Sequence, residues 1–227
     1  MWPSDAESLA DRQAELAAAT GTPWRPHDGD VRAGGCWVCF PRGSTGPGAA
    51  GEPAWSAAVL LAGARVVDER VVEGVTGAPY VPGLLALRIG SLMEQAIRAL
   101  ASTPEVLFVD GTGRDHPRRA GLAVHLGAEL AVPTVGVTHR PLRAEGDWPD
   151  DRRGATSPLR IGDEVVACWL RTQPGVRPLV VHPGWQTDLP TATDLVLAAS
   201  SAHRTPEPLR RARQAARRAR ARAERSP

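Results

Sequence analysis

The pattern of apolar and polar positions predicts a chain that mixes helices and strands. Residues 4–19 have apolar side chains at helical spacing, and Ser4 with Glu7 forms a capping box. An α/β or α+β sheet covered by helices is the expected fold class. Further helices are predicted over 91–101, from Pro117 through the segment RRAGLAVHLGAEL, and over 188–202. Strands are predicted over 33–40, 57–61, 64–72, 132–137, 164–170 and 179–182.

One apolar run carries the clearest candidate chemistry. Residues 105–110, EVLFVD, are typical of a central strand buried on both faces that brings Asp110 to its carboxyl end. A glycine turn, GTGRDHP, follows it. The segments 41–53 and 143–156 are predicted to be loops, the first rich in glycine and proline and the second polar.

Length and composition favour one folded domain. The chain has 227 residues, of which 42% are hydrophobic, and no run of about 18 apolar residues that would predict a membrane span. Its first residues carry acids and no basic segment, so we expect no secretory signal. Three cysteines are too few for a disulfide framework, and we expect a cytoplasmic protein.

Charge is concentrated at the C-terminal end. Residues 204–227 hold nine arginines and two glutamates, a local charge of +7 that leaves −5 for residues 1–203. No lysine occurs in the sequence. We predict a domain over 1–205 and an arginine-rich tail over 206–227 that is either helical or disordered. The tail is either a phosphate-neutralising element or a solvated end.

Several segments together resemble one known family. PYVPGLLALR (79–88), FVDGTGRDHPRRAGLAVHLG (108–127) and VPTVGV (132–137) are similar to signature blocks of the endonuclease V family. AGGCWVCFP (33–41), RPLVVHPGW (177–185) and TPEPLRRA (205–212) extend the similarity. The resemblance implies a ribonuclease H-like mixed β-sheet flanked by helices. It also implies metal-dependent cleavage of DNA or RNA near a deaminated base, chiefly inosine, in nucleic-acid repair.

The chain departs from the family at the metal site. The resemblance assigns three lost metal-ligand positions to Trp37, Ile89 and Trp185, retains Asp110 as a ligand, and puts His139 where the family has a catalytic lysine. The family resemblance implies Mg²⁺ or Mn²⁺ if the chain is active, and no cofactor if it is not. A hard cation needs several oxygen ligands, and two-metal cleavage needs enough carboxylates for two dications. We therefore expect catalysis to be lost or severely weakened.

The resemblance also implies a nucleic-acid surface, and each of its residues has a structural alternative. Tyr80 would act as a wedge beside the damaged base on a loop stiffened by Pro82, or it belongs to a surface turn. The glycines of the region either approach the substrate or serve turns. The base pocket and the turn that follows the aspartate would include Gly83, Leu85, Gly111, Gly113 and Gly136. The residues that would contact phosphate at a helix start, or form a solvated first turn, are His116, Arg118 and Arg119.

Other acids and thiols leave alternatives open. Asp110 is a residual ligand or a carboxylate that caps the glycine turn, and its candidate partners are His116, His139, Arg118 and Arg119. Cys36 and Cys39 form a C-x-x-C motif, but on a strand their side chains would point to opposite faces, which favours two small buried residues. Residues considered as replacement ligands are Asp188, Glu94 and Asp115, although an N-cap is the simpler role for Asp188.

Three functions remain open from the sequence. The first is a degenerate endonuclease V relative that binds DNA or RNA, as a monomer and without a membrane. The second is an active nuclease with rearranged metal ligands around Asp110. The third is a scaffold protein that kept only the fold, because a fold does not determine a function.

Overall fold

The computed structural model describes residues 2–19, 22–27 and 29–225. No helix in these ranges is long and apolar enough to cross a membrane. The helices are α1 (Ala6–Ala18), α2 (Leu85–Arg98), α3 (Leu122–Leu130), α4 (Leu189–Ala199) and α5 (Glu207–Ala223). The strands are β1 (Arg32–Cys39), β2 (Pro53–Ala62), β3 (Arg65–Val75), β4 (Val106–Val109), β5 (Thr134–Thr138), β6 (Thr156–Ile161), β7 (Glu164–Leu170) and β8 (Leu179–Pro183).

The strands form one mixed sheet in the order β3-β2-β1-β4-β5-β8-β7-β6. The central strands β1, β4 and β5 are parallel, and the remaining pairs are antiparallel. Helices α2 and α3 cover one face, and α4 and α5 cover the other. The predicted α/β architecture, with a mixed sheet flanked by helices, is confirmed.

The central strand β4 is apolar throughout because both of its faces are covered. Leu107 and Val109 pack into the core beneath α2 and α3, whereas Val106 and Phe108 pack into the core beneath α4 and α5. All four side chains are at most 1% exposed. Burial on two faces explains why this strand shows no alternation of apolar and polar residues.

The arginine-rich C-terminal segment is part of this core. Helix α5 buries Leu209, Ala212 and Ala216 against β1 and β2. A Cβ at Gly35 would collide with the backbone of Pro208, so the helix lies directly on the strand. The boundary predicted at residue 205 has no counterpart in the packing, although the helical alternative for the tail matches the structure.

Three element boundaries differ from the sequence predictions for local reasons. Helix α1 is capped by Asp5, which accepts from Ser8 N at 2.8 Å, so the proposed box of Ser4 and Glu7 does not form. Helix α3 begins at Leu122 and not at Pro117, since Arg119 adopts a left-handed φ of 58°. Strand β6 follows the loop predicted over 143–156 and was not predicted, because only one of its six side chains is fully buried.

Candidate nucleic-acid interface around Asp110

The carboxyl ends of the three parallel strands meet at one edge of the sheet. Asp110 follows β4, and His139 follows β5. Cys36 of β1 pairs in register with Val109, which brings Trp37 alongside Asp110. In open α/β sheets this edge is where ligands bind.

Asp110 lines two cavities that share the Tyr80 loop. The first, here called the Ile89 cavity, has a volume of about 300 Å³ and is lined by Ile89, Phe40 and Arg88 together with Asp110 and Tyr80. The second, here called the His139 cavity, has a volume of about 460 Å³ and is lined by Tyr80, Asp110, Gly83, Leu85, Gly111 and His139. Both cavities open beside the same carboxylate.

The environment of Asp110 disfavours its charged form. Burial raises the pKa of this carboxyl to about 7, and the positive charge of Arg213 opposes that rise. Within the described ranges no group donates a hydrogen bond to it. An acid that titrates near neutral pH in a cleft is a candidate functional residue.

Arg213 is a candidate functional residue that the sequence interpretation missed. Its guanidinium carbon lies 5.3 Å from the ring centroid of Trp37, which packs against Ala215 and Ala216 of α5. Its Nε is buried with no hydrogen-bond partner in the described residues. The sequence did carry a signal, because helical spacing from buried Leu209 puts residue 213 on the inward face of α5.

Two further arginines, Arg204 and Arg177, join Arg213 in acting on His139. Burial lowers the pKa of His139 below its usual value, and the nearby charges of Arg204, Arg213 and Arg177 lower it further. His139 is therefore a neutral imidazole at pH 7 among cations. An anionic strand would find three guanidinium groups near one another here.

The Tyr80 loop is held in place by several hydrogen bonds. The Tyr80 ring is 45% exposed, and its backbone N–H donates to Pro47 O at 2.7 Å. Gly83 adopts a φ of 82°, which favours glycine. Its carbonyl accepts from Gln13 Nε2, His116 Nε2 and Arg118 Nη2. The exposed Pro82 completes a loop that presents an aromatic ring from a fixed backbone.

The Gly/Pro loop over 41–53 is fixed by a buried arginine. Arg88 of α2 forms an ion pair with Glu52 at 2.8 Å and donates to the carbonyls of Ala49 and Ala78. Its guanidinium carbon lies 4.6 Å from the Phe40 ring centroid. Arg88 thus ties this loop and the segment before Tyr80 to the first turns of α2.

Comparison with known proteins decides the family. The family model described as Endonuclease V matches residues 45–214. The chain belongs to the endonuclease V family. The endonuclease V of Methanopyrus kandleri is 44% identical over 162 residues, which are 70% of this chain and 70% of that protein.

Solved endonuclease V structures share the fold. The endonuclease V of Streptomyces avermitilis has a TM-score of 0.85 at 35% identity, covering 98% of this chain and 96% of that one. The Ciona intestinalis endonuclease V, solved in complex with a 24mer DNA containing an inosine followed by a ribo-adenosine, has a TM-score of 0.78 at 23% identity, covering 96% of this chain and 98% of that one. The predicted family and ribonuclease H-like fold are confirmed.

The residues around Asp110 do not fit a divalent metal. In the part of the chain that the structure describes, no group of three or more His, Cys, Asp or Glu side chains could hold a metal ion. Asp110 shares a cavity with the sec-butyl group of Ile89 and feels the charge of the Arg213 guanidinium, and Trp37, whose backbone lies beside Asp110, has its indole against Arg213. Mg²⁺ takes oxygen ligands, and none of these three side chains supplies one.

Trp185 does not belong to this site, and the expectation that it lies beside Asp110 is wrong. Its backbone N–H donates to Thr134 Oγ1 at 2.8 Å, at the amino end of β5. Thr134 pairs with Leu107, whereas Asp110 follows the opposite end of β4. The indole packs instead against Leu16 and Val124. Because β8 runs antiparallel to β5, the HPGW motif at the end of β8 lies beside the start of β5, at the opposite side of the sheet from Asp110.

The predicted phosphate-binding turn is already occupied by internal contacts. His116 is buried and its pKa falls to about 4 through desolvation. Arg118 Nε donates to Gln13 Oε1 at 2.7 Å, and Arg119 forms an ion pair with Glu164 at 3.0 Å. Among the described residues these three side chains neither open a helix nor bond to Asp110; His116 and Arg118 support the Tyr80 loop, Arg119 pairs with Glu164, and their contact with phosphate stays a prediction.

The acids considered as replacement ligands have other roles. Asp188 is the N-cap of α4, as predicted, accepting from Thr191 N at 3.0 Å. Glu94 pairs with Arg98 at 2.7 Å. Asp115 is fully buried and accepts from three backbone N–H groups, those of residues 142–144. None of these three acids lines either of the two cavities beside Asp110.

The glycines of the site divide into two groups. Gly83 and Gly111 line the His139 cavity together with Leu85, as expected for a pocket. Gly136 and Gly113 serve packing, because added Cβ atoms would collide with the carbonyl oxygens of Gly111 and Pro183. The pocket expectation therefore fits Gly83, Leu85 and Gly111 and not Gly136.

The C-x-x-C motif has no shared chemistry. Cys36 packs into the core beneath α2, and Cys39 packs against Ala215 and Ala216 of α5 on the other face of the sheet. Both are free thiols, and burial raises the pKa of Cys39. The interpretation as small buried residues fits the structure.

Proposed function

We propose that this endonuclease V family member binds DNA or RNA carrying a deaminated base, and that its metal-dependent cleavage is lost or severely weakened. The observation that carries the proposal is the set of groups around Asp110. Where catalysis would require several carboxylates for Mg²⁺ or Mn²⁺, the chain has Trp37, Ile89 and Arg213.

A guanidinium changes what this edge of the sheet can do. Arg213 supplies positive charge that does not depend on a bound ion, and arginine geometry suits phosphate oxygens. It cannot ionise a water molecule as a bound metal does. Binding without hydrolysis follows from that substitution.

The His139 cavity suits a base taken out of its stack. Its walls combine the Tyr80 ring, the Leu85 side chain and the backbone of Gly83 and Gly111. A flipped base is held by stacking and by hydrogen bonds to its edge. Tyr80, projecting from a fixed loop, is suited to fill the gap that the base leaves.

The inosine preference is proposed from the family. The Ciona protein was solved with inosine-containing DNA, and this chain shares its fold. We extend the proposal to a monomer that works in the cytoplasm, which agrees with three free, buried cysteines. A metal-independent interaction that depends on arginine predicts a steep loss of affinity with salt.

A binding titration tests the proposal. Fluorescence anisotropy would compare labelled DNA and RNA oligonucleotides that differ only by one inosine, in EDTA, in Mg²⁺ and in Mn²⁺. We expect tighter binding to the inosine strand in all three buffers. Cleavage that appears with metal would support the rearranged nuclease, and absence of both inosine preference and salt dependence would support the scaffold.

A further inference from the structure

We infer that Trp148 and Arg177 form a stacking subsite for one unpaired base and its phosphate, beyond the His139 cavity. The inference rests on the proposed nucleic-acid binding and adds a contact that lies outside the resemblance to the family. Trp148 sits in the loop between β5 and β6, and Arg177 sits just before β8.

The pair has the chemistry of a nucleotide contact. The Trp148 side chain is 54% exposed, although a large apolar ring usually lies inside. The guanidinium carbon of Arg177 lies 5.6 Å from the Trp148 ring centroid. Arg177 is exposed, and its guanidinium makes no hydrogen bond or ion pair within the described ranges. An indole and an uncommitted cation at this spacing match a base and the phosphate attached to it.

The loop holding Trp148 is anchored by several contacts, which favours a preformed platform. Asp115 fixes the loop start through three backbone hydrogen bonds, and Glu145 forms a β-bridge with Arg160. Trp169 meets the Trp148 ring edge to face at 6.2 Å and donates to Gly146 O at 3.1 Å. A ring fixed before binding loses little entropy when a base stacks on it.

A second arginine near the ring supports the loop and not a ligand. The Arg171 guanidinium carbon lies 5.9 Å from the Trp148 ring centroid. Its side chain is buried and donates to the carbonyls of Pro149, Asp150 and Val176. Arg171 therefore stabilises the platform, and Arg177 is the cation left for a phosphate.

The platform continues the surface that begins at Asp110. Strand β8 runs antiparallel to β5 with Thr138 opposite Val180, so the segment before β8 reaches the same edge as His139. The positive charge of Arg177 also acts on His139 and lowers its pKa. A strand whose damaged base enters the His139 cavity would pass Arg177 and then Trp148.

An unpaired base fits this patch better than an apolar protein surface. Arg171 and Arg177 lie near the ring, and Asp147, Asp150 and Asp151 belong to the same loop. Protein interfaces centre on several adjoining apolar side chains, whereas a single exposed ring beside a cation is typical of single-strand binding.

The test uses fluorescence anisotropy with single-stranded inosine-containing oligonucleotides in EDTA. Trp148→Ala should raise the Kd about tenfold, and Trp148→Phe should restore most of the affinity. Val67→Ala, which shortens an exposed side chain near the start of β3, is the control and should bind like the wild type. Arg177→Ala should also reduce the salt dependence by about one phosphate contact.

A scan with single abasic sites locates the stacked base. One abasic position away from the inosine should weaken wild-type binding and leave Trp148→Ala unchanged, since that variant has already lost the contact. If the wild type binds and Trp148→Ala matches Val67→Ala, the subsite is wrong while the proposed function stands. If the wild type binds none of the oligonucleotides, the proposed function fails and the subsite fails with it.

Discussion

Asp110 and Asp115 lie in the same turn after β4, and their surroundings are opposite. Asp115 is fully buried and accepts three backbone hydrogen bonds, at 2.7, 2.8 and 2.8 Å. Asp110 receives none from the described residues, and burial raises its pKa to about 7. The Asp115 carboxylate fixes a loop through hydrogen bonds. The Asp110 carboxyl lines two cavities, in surroundings that disfavour its charged form.

This difference separates structure from function inside one short segment. A satisfied buried acid stabilises the fold, whereas an acid with a raised pKa in a cleft is kept at a cost to stability. His116 holds the Tyr80 loop, Asp115 holds the start of the Trp148 loop, and Trp169 packs against the Trp148 ring. On the β1 side, Ile89 packs into the core beneath α2, and the Trp37 ring lies against Arg213 and α5.

The largest effect is expected at Asp115. Asp115→Ala leaves three backbone N–H groups without a partner, so the free energy of unfolding should fall by about 3–5 kcal/mol. Urea denaturation measures it, with Asp110→Ala as the matched control in the same turn. Equal losses in the two variants would remove the distinction between the two acids.

A smaller change of opposite sign is expected at Asp110. Because its folded pKa is raised, the folded state keeps the proton to higher pH than the unfolded state, and stability falls as the pH rises from about 4 to about 7. Asp110→Asn avoids that loss and should be more stable than the wild type by about 2 kcal/mol at pH 8.

The wild type and Asp110→Asn, compared at low pH, provide the control. At pH 4 the Asp110 carboxyl is protonated in the folded wild type and about half protonated in the unfolded chain, so Asp110→Asn should give little gain there. Thermal denaturation of both proteins at pH 4 and at pH 8 measures how their difference in stability depends on pH. A gain that is independent of pH would mean that the charge on Asp110 is not what the substitution relieves.

Binding should depend on Arg213 more than on arginines elsewhere on α5. Arg213→Ala should weaken oligonucleotide binding about tenfold, reduce the salt slope by about one, and raise the pKa of Asp110 further. Arg218→Ala is the control, because that arginine is half exposed and pairs with Glu69 at 2.8 Å. Anisotropy at several salt concentrations measures both variants, and equal effects would contradict a specific role for Arg213.

The smallest effect is expected at the wedge. Tyr80→Ala should lower the affinity for inosine-containing strands about fivefold through lost stacking, and Tyr80→Phe should retain it. Loss of affinity in both variants would point to the hydroxyl and not to the ring.

The central strand and the Tyr80 loop could be predicted because their signals are local. The apolar run ending in Asp110 and the paired prolines around Tyr80 are written in consecutive residues. Asp188 as an N-cap and the separation of Cys36 from Cys39 follow from spacing alone.

The rest depended on tertiary contacts that spacing does not encode. Trp185 seemed to belong to the site, but antiparallel β8 takes it to the other edge of the sheet. Arg213 was missed because the tail was taken to be separate, although its apolar stripe packs on β1. The partners of Arg118, Gln13 and Gly83, could not be predicted because they come from distant parts of the chain.

The most direct test of the central claim is a nicking assay on a duplex containing one inosine. The wild type and Asp110→Ala would be incubated with Mn²⁺, with Mg²⁺ and with EDTA, at enzyme in excess over substrate. We predict that no condition gives cleavage above the level of Asp110→Ala, while the wild type still binds the duplex in EDTA. Metal-dependent cleavage by the wild type that disappears in Asp110→Ala would contradict the account.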